Sequence, residues 1–186
     1  MPIPAIDTIL NVLPPLLDGS DGTISLSPYK CTMAELCDRY AKSEKRVEIL
    51  KGLLQFRAEC RSRGIQGFHW IAGSFIDDIM ILEGREPNDI DAVTFVSVPD
   101  TSIGLKTAIN IVPVIKTRAH VKATYQVDHV FFPLKSAPSS LVSNARYWYG
   151  LYSHTLDRTW KGILRVELTA DVNEDKAAAD LLLSRP

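Results

Sequence analysis

Apolar positions along this chain change their spacing several times, and each change marks an element. From Val47 onward, Leu50, Leu53, Leu54 and Ala58 recur at helical period. Thr32 with Glu35 has capping-box spacing, and Ser43 starts the longer run, so two helices are predicted after Ser27-Pro28. His69 to Ala72 is a short apolar run broken by Gly73-Ser74, which reads as a buried strand entering a tight turn, with Phe75 to Ile81 able to start a helix. Asp89-Ile90-Asp91 opens a second run, Ala92 to Val98, whose Val93, Thr94, Phe95 and Val96 favour a strand.

Beyond it, Asp100 and Thr101 cap a helix predicted through Ile109, and Pro113 breaks the chain before a further stretch, Val114 to Thr124. Tyr125 to Phe132 reads as a third strand ending at Pro133. A helix rich in aromatics follows from Ser139-Ser140 to about Ser153, then a strand over Ile163 to Leu168 and a last helix over Asn173 to Leu183. This order predicts an α+β fold with a mixed β-sheet flanked by helices. One domain is expected: an N-terminal helical arm over residues 1–65, a core over 66–170 and a C-terminal helix over 171–186.

Composition narrows the picture. A chain of 186 residues with 46% hydrophobic content builds one sizeable core and leaves little room for a second. A net charge of −1 supplies no broad basic field, which argues against tight sequence-independent nucleic-acid binding and leaves room only for a local basic patch. Cys31, Cys37 and Cys60 are odd in number and lack close metal-type spacing, so reduced, buried thiols in a cytoplasmic protein are expected. Met1 to Leu17 is apolar, but Asp7 and four prolines interrupt it and no basic leader precedes it, so neither a signal peptide nor a membrane span is expected.

The candidate chemistry lies in the acids. Because strand side chains alternate, Asp89 and Asp91 share a face while Ile90 points to the other. Two carboxylates side by side repel unless a cation lies between them. Asp128 sits centrally in the third predicted strand. The bland alternative is a pair of solvated aspartates leading into a strand after an Asn turn.

Gly73-Ser74, then Asp89-Ile90-Asp91, then Tyr125-Gln126-Val127-Asp128-His129-Val130 together resemble the polymerase-β-like nucleotidyltransferase superfamily. The nearest likeness is to its small stand-alone prokaryotic members, some of them associated with toxin–antitoxin or phage-defence loci. The resemblance spans Phe68 to Leu134 and extends weakly through Lys161 to Leu168.

It implies a nucleotidyltransferase-like sheet and a Mg²⁺- or Mn²⁺-dependent enzyme that moves a nucleotidyl group from an NTP to an acceptor hydroxyl. In that reading Asp89, Asp91 and Asp128 hold the metal and carry the catalysis. Gly73 and Ser74 bind the nucleotide's phosphates, and Lys161 matches a basic residue that some relatives place near phosphate. The acceptor stays open among tRNA or another nucleic acid, a protein and a small molecule. A partner protein or a homo-oligomer is expected, because the chain lacks the extra domain with which larger relatives grip base and acceptor. A non-catalytic regulatory or interaction module of the same fold is the alternative; a metal-dependent nuclease fits less well, because its Glu-x-Lys signature is absent.

The sequence also departs from the superfamily pattern. Glu83 to Asn88 lengthens the gap between turn and acids, and the place where many members carry a basic residue falls in Phe75-Ile76-Asp77-Asp78. Phosphate charge must be met from elsewhere, with Arg85 and Arg165 as weaker candidates. Lys161 before Gly162 also reads as a solvated turn residue. The aromatic cluster from Tyr147 to Tyr152 could stack a base, yet Tyr147, Trp148 and Leu151 at helical spacing read more simply as core. Asp77-Asp78 is explained by a favourable helix start, and His69, His129 and His154 have no zinc spacing.

Overall fold

The structure, a computed structural model, describes residues 3–110 and 117–185. Its centre is a five-stranded mixed sheet. Strand β1 (Leu16–Asp18) and strand β2 (Ile24–Leu26) form a separate antiparallel hairpin. The main sheet contains β3 (Tyr29–Cys31), β4 (Gln66–Ala72), β5 (Ile90–Val98), β6 (Val127–Pro133) and β7 (Leu164–Leu168), in the spatial order β3-β7-β4-β5-β6. The two outer pairs, β3–β7 and β5–β6, are parallel, and β4 runs antiparallel to both its neighbours.

Seven helices are found among the described residues: α1 (Met33–Tyr40), α2 (Glu44–Ser62), α3 (Ile79–Glu83), α4 (Ser102–Asn110), α5 (Arg118–Tyr125), α6 (Pro138–Tyr152) and α7 (Asn173–Leu183). None is long and apolar enough to cross a membrane. The chain is therefore α+β with a mixed sheet, as its pattern predicts.

Local chemistry accounts for the two helices ahead of β4. Thr32 and Glu35 close a capping box on α1: the Glu35 amide donates to Thr32 Oγ1 at 3.1 Å, and the Thr32 amide donates to Glu35 Oε2 at 2.7 Å. Ser43 accepts the Arg46 amide at the start of α2. The α2 stripe of Val47, Leu50, Leu53, Phe56 and Cys60 is buried against the sheet, together with Val121 and Tyr125 of α5 and Ala178 and Leu182 of α7. Gly52 lets α2 approach the end of α5 closely, since a Cβ there would lie 2.9 Å from the Tyr125 carbonyl carbon. That contact fixes where α5 sits.

Three expectations change. The first 65 residues hold three short strands besides the helices, and β3 is an edge strand of the main sheet, so this region is not a purely helical arm. Strands of three residues are too short to display a period. The helix expected from Phe75 is a single 3₁₀ turn, Ser74–Ile76, and regular helix begins only at Ile79. Tyr125 ends α5 rather than opening a strand, because Gln126 takes a left-handed conformation that stops the helix and starts β6. The expected break at Pro113 and the start of the stretch from Val114 lie outside the described residues, while α4 and α5 on either side are present.

Strand register divides the sheet into two unlike faces. His69, Ile71, Ala92, Thr94, Val96, Val127, His129, Leu164 and Val166 face the helices and are buried. Phe68, Trp70, Asp91, Phe95, Asp128 and Phe132 lie on the other face, which α6 crosses without burying any of its own residues. On the helix side, Thr94 Oγ1 sits 2.6 Å from His69 Nδ1 and 2.5 Å from His129 Nε2. A hydroxyl carries one proton, so it donates to one imidazole and accepts from the other. Burial holds His69 well below its usual range, and it pushes His129 down to about 3.

These three residues make stability depend on Thr94 and on acid. Thr94→Val keeps the shape but strands two buried ring nitrogens, and urea denaturation should show a loss of about 1–3 kcal/mol. In the wild type both imidazoles are neutral when folded and take up protons when unfolded. Stability should therefore be level above about pH 6.5, the ordinary His value, and fall as pH drops below it. A denaturation midpoint unchanged between pH 7 and pH 5 would contradict this.

Candidate functional site

The parallel pairing of β5 and β6 sets Asp91 directly opposite Asp128 on the lightly covered face of the sheet. Across the antiparallel β4–β5 pair, Ala72 stands opposite Asp91, so the chain leaves β4 into Gly73-Ser74 beside the same carboxylate. Gly73 has φ 79° and ψ −171°, and a Cβ there would overlap the Asp91 carboxyl group, with its carbon 2.9 Å away. Both conformation and space demand glycine at this point. Asp89 precedes β5 by one residue and joins Asp91 and Asp128 in one acidic group.

The three acids do not share one environment. Asp91 makes no ion pair among the described residues, and its carboxyl is pushed up to about 6, first by burial and then by the charges of Asp89 and Asp128. Asp128 is held below the usual carboxylate range, chiefly by its hydrogen bond from Arg118, while Lys122 adds to the effect and burial opposes it. Lys122 Nζ lies 2.5 Å from Asp89 Oδ2 and 3.2 Å from Asp128 Oδ2, and Arg118 Nε pairs with Asp128 Oδ1. Arg118 and Lys122 stand four residues apart on α5, hence on one side of that helix.

Sequence reasoning did not single these two cations out. Their spacing on the helix just before the Asp128 strand was the available signal. Among the described residues no three His, Cys, Asp or Glu side chains are gathered into a ready metal group. Arg118 and Lys122 stand among the carboxylates instead.

Lys161 occupies a different place from either expectation. It is 2% exposed, so it is not a solvated turn residue. Its ammonium donates to the Gly73 carbonyl at 2.9 Å and is ion-paired with Asp77. Both contacts direct it to the turn from the protein side, where it supports Gly73 and presents no open charge for a phosphate. Asp77 in turn is no helix-start residue. Its side chain is buried against Lys161, while Arg46 Nη1 donates to the Phe75 carbonyl at 2.6 Å and Nη2 to the Asp77 carbonyl at 3.3 Å. Burial pushes the Asp77 carboxyl up and the Lys161 ammonium opposes that shift. Ser74 opens the 3₁₀ turn half-buried beside Gly73.

The remaining candidates separate clearly. Arg85 pairs with Glu83 at 2.6 Å, and Arg165 pairs with Glu167 at 2.9 Å while its guanidinium lies 3.7 Å over the Phe68 ring. Neither pairs with the three acids. The aromatic helix is not core: Tyr147 is 57% and Leu151 53% exposed. The hydroxyl of Tyr152, its last residue, is raised first by burial and next by the charges of Asp91 and Asp128. Between α6 and the sheet, Phe68, Trp70, Phe95, Leu141, Val142 and Ala145 line an apolar cavity of about 260 Å³. Cys31, Cys37 and Cys60 are buried free thiols.

The chain belongs to the family of unknown function DUF6932, whose family model matches residues 4–167. No curated protein and no solved structure matches it. The matched span takes in the Gly73 turn, all three acids and Lys161.

The buried ion pair gives a sharp test of how the turn is held. Lys161→Met leaves the Asp77 charge enclosed without its partner and should cost about 3–5 kcal/mol, whereas Lys161→Met with Asp77→Leu should recover most of that loss. Urea denaturation of the two variants distinguishes them. A single variant that loses less than about 1 kcal/mol, the range of a surface pair, would show that the ammonium does not hold the turn.

Proposed function

We propose that this chain is a metal-dependent nucleotidyltransferase with the core its sequence resembles, moving a nucleotidyl group from an NTP to an acceptor hydroxyl. The observation that carries the reading is Asp91: a half-buried carboxylate opposite Asp128, without an ion-pair partner among the described residues, with Gly73 pressed against it where a Cβ would collide. The donor chemistry suits a hard divalent cation, since Asp91 and Asp128 offer carboxylate oxygens from one face of the sheet and Asp89 shares Lys122 with Asp128. Asp89, Asp91 and Asp128 would hold Mg²⁺ or Mn²⁺. Such ions, when bound, offset the triphosphate's charge and lower the pKa of the attacking hydroxyl.

The chain's own residues do the rest. Gly73, lacking a side chain, lets phosphate oxygens approach the backbone of the turn, and the Ser74 hydroxyl donates to them. Lys161 keeps the turn in place through the Gly73 carbonyl. The acceptor oxygen attacks the α-phosphorus in line, the bond to the bridging oxygen breaks and pyrophosphate leaves. The acceptor's proton passes to Asp128. One observation favours the second reading, a non-catalytic module of the same fold: Asp89 and Asp128 already have cationic partners in Lys122 and Arg118, so the acids do not all need a metal.

The Asn variants separate the two readings. Asp91→Asn removes a repelled charge and should raise the melting temperature of the ligand-free protein by a few degrees, while cutting pyrophosphate release from NTP and Mn²⁺ by about 100-fold or more. Asp128→Asn gives up its bonds from Arg118 and Lys122, so no such rise is expected. It should leave metal-dependent NTP binding within a few-fold and abolish transfer. The checks are thermal melts with and without Mn²⁺–NTP, and pyrophosphate release in the presence of cell extract as acceptor source. A lower melting temperature for Asp91→Asn, together with no shift of the wild type by Mn²⁺–NTP, would leave the enzyme reading without support.

A further inference from the structure

We propose that Arg118 and Lys122 are exchangeable counter-cations, paired with the acids in the free protein and transferred to the substrate's phosphate oxygens when a divalent cation takes the carboxylates. The inference rests on the metal–nucleotide reading of this site and names the residues that meet the triphosphate.

Four observations lead to it. The carboxylates are enclosed and the cations are not: the side chains of Asp89 and Asp128 are 14% and 11% exposed on or next to strands, whereas those of Lys122 and Arg118 are 52% and 62% exposed on long stems. Second, among the described residues these acids are the only ion-pair partners of Arg118 and Lys122. Third, a divalent cation cannot share the carboxylates with an ammonium in direct contact, because like charges at about 4 Å cost roughly 1–4 kcal/mol per unit charge even when screened by water or a partly wet surface. Entry of metal therefore expels both groups.

Fourth, the place after the Gly-Ser turn where phosphate charge would ordinarily be met holds Phe75, Ile76, Asp77 and Asp78, and Lys161 is enclosed. Among the described residues Arg118 and Lys122 are the cations paired with the acid group, and once displaced they stay within reach of whatever the metal brings. Gly52 of α2 packs closely against the end of α5, and the exchange asks only the two long side chains to move. A guanidinium fork with an ammonium one helical turn away suits a phosphate chain, since the fork binds two oxygens at once and the ammonium follows as a point charge.

Exchange predicts a reversal of sign that a merely structural pair does not give. In Lys122→Gln and Arg118→Gln the carboxylates lose a competing cation, so Mn²⁺ alone should bind more tightly, by about threefold to fivefold. With Mn²⁺ saturating, inorganic tripolyphosphate should bind the same variants more weakly, by about fivefold or more. Lys122→Arg should resemble the wild type in both. Free Mn²⁺ is read by electron paramagnetic resonance and tripolyphosphate by calorimetry, with a thermal melt establishing that each variant is folded.

Mn²⁺ affinity that stays level or falls in both Gln variants overturns the exchange, even where the wild type releases pyrophosphate from NTP. Opposite changes in the two affinities uphold it, even where no pyrophosphate is released and the catalytic reading fails. Absence of Mn²⁺ binding to the wild type and every variant overturns both.

Discussion

An ammonium group with almost no access to water, that of Lys161, holds this site together. It is paired with the buried carboxylate of Asp77 and donates to the Gly73 carbonyl, so it locks the turn that leaves β4 against the acid-bearing β5. The backbone around it extends the tie: the Lys161 amide donates to the Ser153 carbonyl, the Gly162 amide to Leu13 and the Asp78 amide to Asn11. Four separate stretches of chain therefore meet at one ion pair. Burying two charges is costly, and an apolar pair of similar volume is often no less stable. An apolar pair, however, has no donor for the Gly73 carbonyl, and without that donor the turn loses its hold beside Asp91.

The second constraint is the two-residue period of the sheet. Asp91 and Asp128 face the open side, while their neighbours Ala92 and His129 face the helices. A slip of one residue would drive both carboxylates into the core and expose the imidazole that Thr94 pairs with His69. Register is thus fixed from both sides, by apolar burial and the buried His-Thr-His chain beneath, and by ion pairs above. The same pairing brings α5, which runs directly into β6, over the acids, so the residues that neutralise Asp89 and Asp128 come from the turn of chain that delivers Asp128.

Much of this was legible in the sequence wherever the cause was local. The capping box at Thr32, the last helix over Asn173–Leu183 and the strand that follows Asp89 each follow from residues a few positions apart. What escaped depends on distance. Lys161 meets a carbonyl 88 positions earlier, and no spacing rule announces that its charge is enclosed. Asp77 read as a helix start because its partner was equally remote. The aromatic helix shows the converse limit, for helical spacing tells which side of α6 is apolar and not whether anything covers it. Arg118 and Lys122 were within reach of a local argument, since a helix leading directly into a strand folds its side chains back over that strand's first residues.

In the proposed function the acidic end of the open sheet face receives metal and nucleotide together. Paramagnetic broadening tests it most directly: substoichiometric Mn²⁺ is added to isotope-labelled protein with and without an NTP, and amide signals are followed residue by residue. Binding at this site should cause selective loss of the signals from Ala72 to Ser74, Asp89 to Ala92 and Asp128 to Val130, strengthened by NTP, while signals from α7 remain. Uniform broadening that ignores NTP, or broadening centred away from these three segments, would contradict it.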